Sequence, residues 1–175
     1  MRLFFALPLP PALATALAAH AASLAGEYGG RPVPAVNLHL TLLFLGDLAA
    51  TDLPALLAAA SQAAQAWPRL DLQFGPLAVW PHQRLLWAGL QPAVPKLAEF
   101  SAMLRSTVER AGFSVPEAGR PFVPHLTLVR KLTRLPEFLP PLQLPAWGAT
   151  RFELLQSTRT ASGAIYRPLG AWPAP

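Results

Sequence analysis

The chain has 175 residues, of which 53% are hydrophobic and 13% charged, a composition that predicts a compact globular protein rather than a disordered one. It contains no cysteine, which excludes disulfides, thiolate nucleophiles and zinc–cysteine sites. The net charge of +5 comes almost entirely from arginine, whose planar fork matches phosphate, so an anionic partner is favoured, although a high arginine content can also reflect genome composition.

The N-terminal segment predicts a β-strand followed by a helix. Residues 2–7 resemble a strand that enters a core, and Ala and Leu at about residues 11–27 predict a helix with proline in its first turn. The same segment has the outline of a secretory signal, which would make the protein secreted or associated with a membrane surface. Because Pro8, Pro10 and Pro11 interrupt the apolar run, we expect the strand and helix, and therefore a cytoplasmic protein. No stretch is suited to span a bilayer.

The rest of the chain continues to alternate between strands and helices. The predicted elements are a strand at about 37–46, a helix beginning near Thr51 or Asp52, two strands within 70–90, an amphipathic helix from Pro95 to about Ala111, a strand containing residues 125–128, and a hairpin around the TASG sequence. Residues 136–148 are too rich in proline for a central strand and predict an edge or a long connection. Since both halves of the chain interleave strands and helices, we expect an α+β fold with two similar lobes that face a shared cleft.

The tetrapeptide HLTL occurs twice, 86 residues apart, and contributes His39 with Thr41 and His125 with Thr127. A histidine two places before a threonine is expected about 0.2 times by chance in this composition. Because side chains alternate along a strand, each His and Thr pair shares one face, about 6.6 Å apart, while the leucines bury on the other face. That spacing lets both polar side chains contact one small anion.

Two such pairs across a cleft fit acid–base catalysis at phosphorus. One imidazole takes a proton from the attacking oxygen and the other gives a proton to the leaving oxygen, each contributing roughly 10²–10⁴ in rate. The threonine hydroxyls can donate hydrogen bonds to the equatorial oxygens. This chemistry needs no metal or cofactor when the substrate is a strained five-membered cyclic phosphate. The scattered carboxylates and the absence of HxH and HExxH motifs disfavour a two-metal nuclease.

A lone histidine on a strand is more often a packing residue than a catalyst, but its repetition in matched settings favours a function. The other two histidines lack a threonine partner. His20 falls in an alanine-rich helix and His82 in the turn WPHQR, so we expect both to be structural or solvated.

The motifs and their surroundings resemble a known family. RPVPAVNLHLTLLFLGD and RPFVPHLTLVR are similar to the two HxTx signatures of the two-histidine phosphoesterase superfamily, in its RNA 2′,3′-cyclic phosphodiesterase branch, also called 2′-5′ RNA ligase. MRLFFALPLP, RLLWAGL and STRTASGAIYRPLGAWP are also similar to that branch. The resemblance implies one bilobal α+β domain over residues 1–175, with an antiparallel sheet and helices in each lobe and a central cleft. It also implies hydrolysis of RNA 2′,3′-cyclic phosphate ends to 2′-phosphates and, in some members, reversible ATP-independent 2′-5′ ligation.

The resemblance also implies the roles of single residues. By motif position, His39 would be the proton donor to the leaving 3′-oxygen and His125 the base that activates water. Thr41 and Thr127 would bind the phosphate. Arg130 matches the HxTxxR pattern and would contact a phosphate or a nucleobase. Strict alternation puts Arg130 on the face opposite His125, so this contact requires a strand end or a bulge.

Alternation also separates Phe44 from the face of His39, which predicts a core residue rather than a platform on which a base stacks. Arg31, Arg84 and Arg120 are candidates for a basic rim, although each alone would ordinarily be a solvated surface charge.

Two other functions stay open on the sequence. The substrate could instead be a small cyclic nucleotide or a 2′-5′ oligonucleotide. A non-catalytic RNA-binding module would bind RNA in a salt-dependent manner without turnover. The leading hypothesis is a metal-independent, monomeric hydrolase that acts on RNA ends, with no cofactor.

Overall fold

Two four-stranded antiparallel sheets and a two-stranded ribbon make up the β-structure of a computed structural model that describes residues 1–116, 121–161 and 163–173. The helices are α1 (Pro11–Tyr28), α2 (Leu53–Ala64) and α3 (Pro95–Arg110). The strands are β1 (Arg2–Pro8), β2 (Arg31–Pro32), β3 (His39–Asp47), β4 (Leu70–Leu72), β5 (Phe74–Trp80), β6 (Leu85–Leu90), β7 (His125–Arg130), β8 (Trp147–Ala149), β9 (Phe152–Thr160) and β10 (Gly163–Trp172).

The two HLTL motifs lie on different sheets. The first sheet has the strand order β10-β9-β1-β3 and carries the first motif on β3. The second sheet has the order β2-β7-β6-β5 and carries the second motif on β7. Strands β3 and β7 contact each other, so the two sheets meet where the motifs are. The predicted α+β fold, with a strand from each lobe at a shared cleft, is confirmed.

Each lobe draws its elements from both halves of the chain. Helix α1 follows the first strand of the first sheet, yet it packs against β2 and β7 of the second sheet. Helix α3 follows the last strand of the β5–β6 hairpin, yet it packs against β3 and α2. We call the first sheet with α2 and α3 the first lobe, and the second sheet with α1 the second lobe. The chain therefore crosses between lobes repeatedly.

The predicted N-terminal strand and helix are both present and belong to the core. All side chains from Leu3 to Leu7 are buried, because both faces of β1 are covered: Leu3, Phe5 and Leu7 lie in the main core, and Phe4 and Ala6 lie in a second apolar cluster. Helix α1 begins at Pro11 in its first turn, where the missing N–H costs no hydrogen bond. It is followed by Gly29, whose φ of 71° and close approach to Thr133 leave no room for a side chain. No helix in the described ranges is long and apolar enough to cross a membrane.

The strands of the C-terminal part of the chain also agree with the predictions from the sequence. Of residues 136–148, which were predicted to form an edge or a long connection, 136–146 contain no strand, and the last two belong to β8, which pairs with β4 in the two-stranded ribbon. The predicted final hairpin is formed by β9 and β10. Its aromatic residues Phe152 and Trp172 stack at 5.4 Å and help to close the core of the first lobe.

Candidate active site

A cavity of about 390 Å³ lies where β3 and β7 approach each other, within the size range of small-molecule sites. Both motifs open into this cavity, which we call the central cavity. Its lining residues come from both lobes: Val33, Asn37, His39, Thr41, Phe44, Trp80, Gln83, Leu85, His125, Thr127 and Arg130. The four motif residues predicted from the sequence are thus brought together.

His39 is held by its backbone neighbour and by two aromatic rings. Its Nδ1–H donates to the Asn37 carbonyl oxygen at 2.8 Å. The rings of Phe4 and Tyr166 lie 4.9 Å and 5.1 Å from the imidazole, the latter edge-on. Because a carbonyl only accepts, Nδ1 must carry hydrogen. This leaves Nε2 of the neutral ring with a lone pair.

His125 repeats the same arrangement on the other lobe. Its Nδ1–H donates to the Val123 carbonyl oxygen at 2.8 Å, again two residues earlier in the chain. The ring of Trp80 lies edge-on at 4.6 Å and that of Trp87 at 6.0 Å. Both imidazoles therefore have a fixed tautomer and orientation, and each keeps Nε2 available.

Burial lowers the pKa of both histidines. For His39 it is the main cause of a pKa of about 4, opposed by the hydrogen bond to Asn37 and aided by the charges of Arg130 and His125. For His125 burial is again the largest cause, opposed by the Val123 hydrogen bond and aided by Arg130. At neutral pH the ligand-free cavity therefore holds two neutral imidazoles, each with an acceptor nitrogen.

A β-bulge turns Arg130 into the cavity. In the pairing of β6 with β7, Leu86 opposes Val129 and Trp87 opposes Thr127, so Leu128 is an extra residue on β7. Leu128 and Val129 are both buried, and the strict alternation is shifted by one residue beyond Thr127. The bulge that the sequence required for an inward Arg130 is present. Among the described residues that line the cavity, Arg130 alone has a permanent charge, and it is close enough to lower the pKa of both histidines.

The first motif has a bulge at the same place. On β3, Leu43 opposes Phe5 and Thr41 opposes Ala6, which leaves Leu42 as the extra residue. The expectation that Phe44 faces away from His39 is therefore wrong: Phe44 is half-buried and lines the central cavity. Strict alternation fails here because one extra residue reverses the parity of every residue after it.

The two bulges are stabilised by hydrogen bonds to the extra residues. The Leu42 carbonyl accepts a hydrogen bond of 2.8 Å from the buried Ser101 hydroxyl on α3. The Leu128 carbonyl accepts one of 2.8 Å from the backbone N–H of Val33. A buried carbonyl left without a partner would cost free energy, so these bonds stabilise the shifted register. Phe44 and Arg130 consequently occupy matching positions at the ends of the two motifs.

The remaining sequence candidates lie elsewhere. His20 and His82 are exposed and outside the cavity, as expected. The guanidinium of Arg84 donates to the Leu132 carbonyl at 2.9 Å and to that of Thr133 at 3.2 Å. Arg84 therefore stabilises the loop after β7 and does not contribute to a basic rim around the cavity. Arg31 is exposed and does not line the cavity. Arg120 lies outside the described residues.

Sequence reasoning missed the aromatic supports of the two imidazoles. Tyr166 comes from the final hairpin and Trp80 from β5, both far from the motifs in the chain. The carbonyl partners of the two histidines were closer to hand, because Asn37 and Val123 each precede their histidine by two residues in the chain. Among the residues that the structure describes, no group of three or more His, Asp or Glu side chains is arranged to hold a metal ion.

Comparison with known proteins identifies relatives of the whole chain. A model of the 2′-5′ RNA ligase superfamily matches residues 9–157. The RNA 2′,3′-cyclic phosphodiesterase of Escherichia coli is 34% identical, and the alignment covers 98% of this chain and 95% of the relative. The protein of the same name from Thermus thermophilus is 32% identical, with 97% of this chain and 88% of the relative covered.

Solved structures give the same result for the fold. The crystal structure of E. coli LigT in apo form has a TM-score of 0.84 at 34% identity, and the match covers 98% of this chain and 95% of that chain. The structure of LigT complexed with 3′-AMP has a TM-score of 0.86 at 33% identity and covers 98% and 96%. The similarity thus extends over both lobes and the cavity between them.

Proposed function

The chain belongs to the 2′-5′ RNA ligase superfamily, and from this membership we propose that it hydrolyses RNA 2′,3′-cyclic phosphate ends to 2′-phosphates. The single observation that carries the proposal is the convergence of His39, Thr41, His125 and Thr127 on one cavity between the lobes. The names of the E. coli and T. thermophilus relatives support this substrate. We further propose that the enzyme acts in the cytoplasm, as a monomer and without a metal ion.

The proposed reaction is an in-line displacement at phosphorus. Nε2 of His125 takes a proton from water as the water oxygen bonds to phosphorus. The bond from phosphorus to O3′ breaks, and Nε2 of His39 gives O3′ a proton. The products are a 2′-phosphate and a free 3′-hydroxyl, and solvent exchange returns each imidazole to its starting state. The assignment of donor to His39 and base to His125 follows the family resemblance.

Arg130 and the threonine hydroxyls would stabilise the charge that develops on the phosphate. Thr41 and Thr127 face the cavity from opposite lobes, which suits hydrogen bonds to the two non-bridging oxygens. Arg130 adds a positive charge beside them. If the 5′-hydroxyl of a second RNA replaced water, the same steps would form a 2′-5′ bond, and the strained cyclic ester would make ATP unnecessary.

Substrate binding would also favour the protonated form of His39, which the proposed proton donor requires. A pKa of about 4 disfavours a protonated His39 in the ligand-free cavity. An anionic phosphate beside the ring favours the imidazolium and opposes the effects of burial and of Arg130. We therefore expect the proton donor to be charged mainly when substrate is bound.

The first test is turnover of a defined RNA end. An oligonucleotide that ends in a 2′,3′-cyclic phosphate, incubated with the protein and EDTA, is expected to yield the 2′-phosphate isomer. Chromatography against 2′- and 3′-phosphate standards identifies the product. A 3′-phosphate product would contradict the proposed bond cleavage. Binding without turnover would favour the non-catalytic alternative, and loss of turnover on adding EDTA would contradict metal independence.

The lowered histidine pKa values predict an acidic optimum for kcat/KM. This parameter reports the free enzyme, which needs one protonated and one neutral imidazole. Since both pKa values lie below the ordinary value of about 6.5, the productive form should decline as pH rises above that value. Replacing Arg130 with methionine removes a charge that lowers both pKa values, so the kcat/KM profile should shift to higher pH.

Profiles of kcat/KM between acidic and alkaline pH check this expectation. The matched control is Arg69→Met, which removes an exposed arginine before β4 and should leave the profile unchanged. A wild-type kcat/KM that keeps increasing above neutral pH, or identical profiles for Arg130→Met and wild type, would contradict it.

A further inference from the structure

A second cavity of about 420 Å³ borders the central cavity and shares His39 with it. We call it the side pocket. Its walls are mainly apolar, and they include Leu9, Val36, Leu155, Tyr166, Pro168 and one carboxylate, Glu153. A ligand whose phosphate lies beside His39 would meet this pocket directly.

Glu153 is a buried carboxylate with unused acceptor capacity. Only 8% of the residue is exposed. Its Oε1 accepts a hydrogen bond from Nε of Arg151 at 3.0 Å, and Nη2 of the same guanidinium forms an ion pair with Oε1 at 3.0 Å. No hydrogen bond to Oε2 occurs within the described ranges. Oε2 is not one of the fully enclosed, unpartnered polar atoms of the described residues, so it keeps some accessible surface. Since Glu153 lines the side pocket, this oxygen can accept a hydrogen bond from an N–H group of a ligand.

The strand register places Glu153 at the distance of a nucleoside from the catalytic face. Glu153 on β9 opposes Ala6 on β1, and Ala6 opposes Thr41 on β3. Glu153 and Thr41 therefore point to the same face of the first sheet, two strand spacings or roughly 10 Å apart. A phosphate bound by Thr41 and His39 would leave the attached ribose and base to extend across β1 toward Glu153.

The rest of the side pocket suits the flat apolar faces of a base. The ring of Tyr166 forms part of its wall and is held edge-on against His39. Val36 is 88% exposed, although it is a large apolar residue in a short 3₁₀ turn at the pocket. A bound base would cover this exposed side chain. Aromatic and apolar walls bind bases through their faces regardless of sequence, so the carboxylate is the group that can discriminate.

We propose that the side pocket binds the terminal nucleobase and that Glu153 selects bases with an exocyclic amino group over uracil. An ionised carboxylate only accepts hydrogen bonds. Adenine, cytosine and guanine each present an amino group to it. Uracil has one N–H between two carbonyl oxygens, which the carboxylate would repel. This inference rests on the proposed function, because it assigns the base of the same RNA end.

The test compares ligands that differ in one amino group. Calorimetry measures binding of the 2′-monophosphates of adenosine, cytidine, uridine and purine riboside, the last being adenosine without its amino group. We expect the wild-type protein to bind adenosine over purine riboside, and cytidine over uridine, by about tenfold, the worth of one hydrogen bond to a charged group. Equal affinities within both pairs would overturn the proposal, and this comparison requires no variant.

The Glu153→Gln variant then tests whether Glu153 causes this preference for an amino group. An amide both donates and accepts, so it should bind uridine about as well as cytidine and lose the preference. The control Glu99→Gln makes the same charge change on the exposed face of α3 and should keep the preference. A preference unchanged in Glu153→Gln would overturn the role of Glu153.

Turnover of oligonucleotides that end in each base as a cyclic phosphate separates this inference from the proposed function. An amino preference in binding without turnover would support the pocket and refute the enzyme. Turnover of all ends with equal kcat/KM, together with equal binding, would support the enzyme and refute the pocket.

Discussion

Replacing either His39 or His125 with alanine is expected to lower kcat by about 10²–10⁴-fold on a cyclic phosphate end. Each substitution removes the Nε2 atom that would move a proton, while the other imidazole, the threonines and Arg130 remain in the cavity. Because the two histidines act on one transition state, the double variant should lose much less than the product of the single losses. Steady-state kinetics on a defined oligonucleotide measures the effect.

The molecule supplies its own controls for these variants. His20 and His82 are exposed and lie outside the cavity, so their replacement with alanine should leave kcat within about twofold of the wild type, in line with surface substitutions elsewhere. Thermal unfolding separates a catalytic loss from a folding defect, since both cavity histidines pack against aromatic rings. Full turnover by His39→Ala or His125→Ala would refute the mechanism.

Replacing Thr41 or Thr127 with valine should lower kcat by about 10²–10³-fold, the usual cost of removing one donor to a developing oxyanion. Valine keeps the β-branched shape and the strand propensity, so the change is limited to the hydroxyl. KM should change much less than kcat if the hydrogen bond strengthens in the transition state.

Thr51→Val is the matched control for the threonine variants, because Thr51 is exposed and does not line the cavity. A rise in KM with kcat unchanged would show that the hydroxyls bind the ground state as strongly as the transition state. Wild-type kinetics in both cavity variants would exclude the threonines from the reaction.

The convergence of the four motif residues on one cavity could be predicted from the sequence because its signal is local. A histidine and a threonine two residues apart on a strand must share a face, whatever the rest of the chain does. The matched repetition then indicated that two such faces act together, and the cavity contains all four residues.

The orientation of Phe44 could not be predicted by strict alternation, because a bulge depends on long-range partners. The extra residue on β3 is stabilised by the Ser101 hydroxyl on α3, which is far away in the chain. A trace of the bulge is visible in the sequence, since each HLT is followed by two apolar residues before Phe44 or Arg130. A strand that alternates strictly would place only one of the two in the core.

The hydrophobic periodicity of the helices likewise could not predict which lobe each helix joins. The apolar residues of α1 show that the helix packs on a sheet but do not say on which one. Its buried residues, such as Leu17 and Leu24, pack beneath β2 and β7, and not beneath the strand that precedes them. Tyr166 and Trp80 were missed for the same reason, since only the folded sheets bring them to the histidines.

The position of β1 between β3 and β9 has a consequence for biosynthesis. Strand β1 is synthesised well before its neighbour β9, so half of the first sheet is missing until β9 and β10 have emerged from the ribosome. Contacts between such distant segments form slowly. A nascent chain that still lacks β9 and β10 should therefore be inert toward RNA, including the messenger being translated.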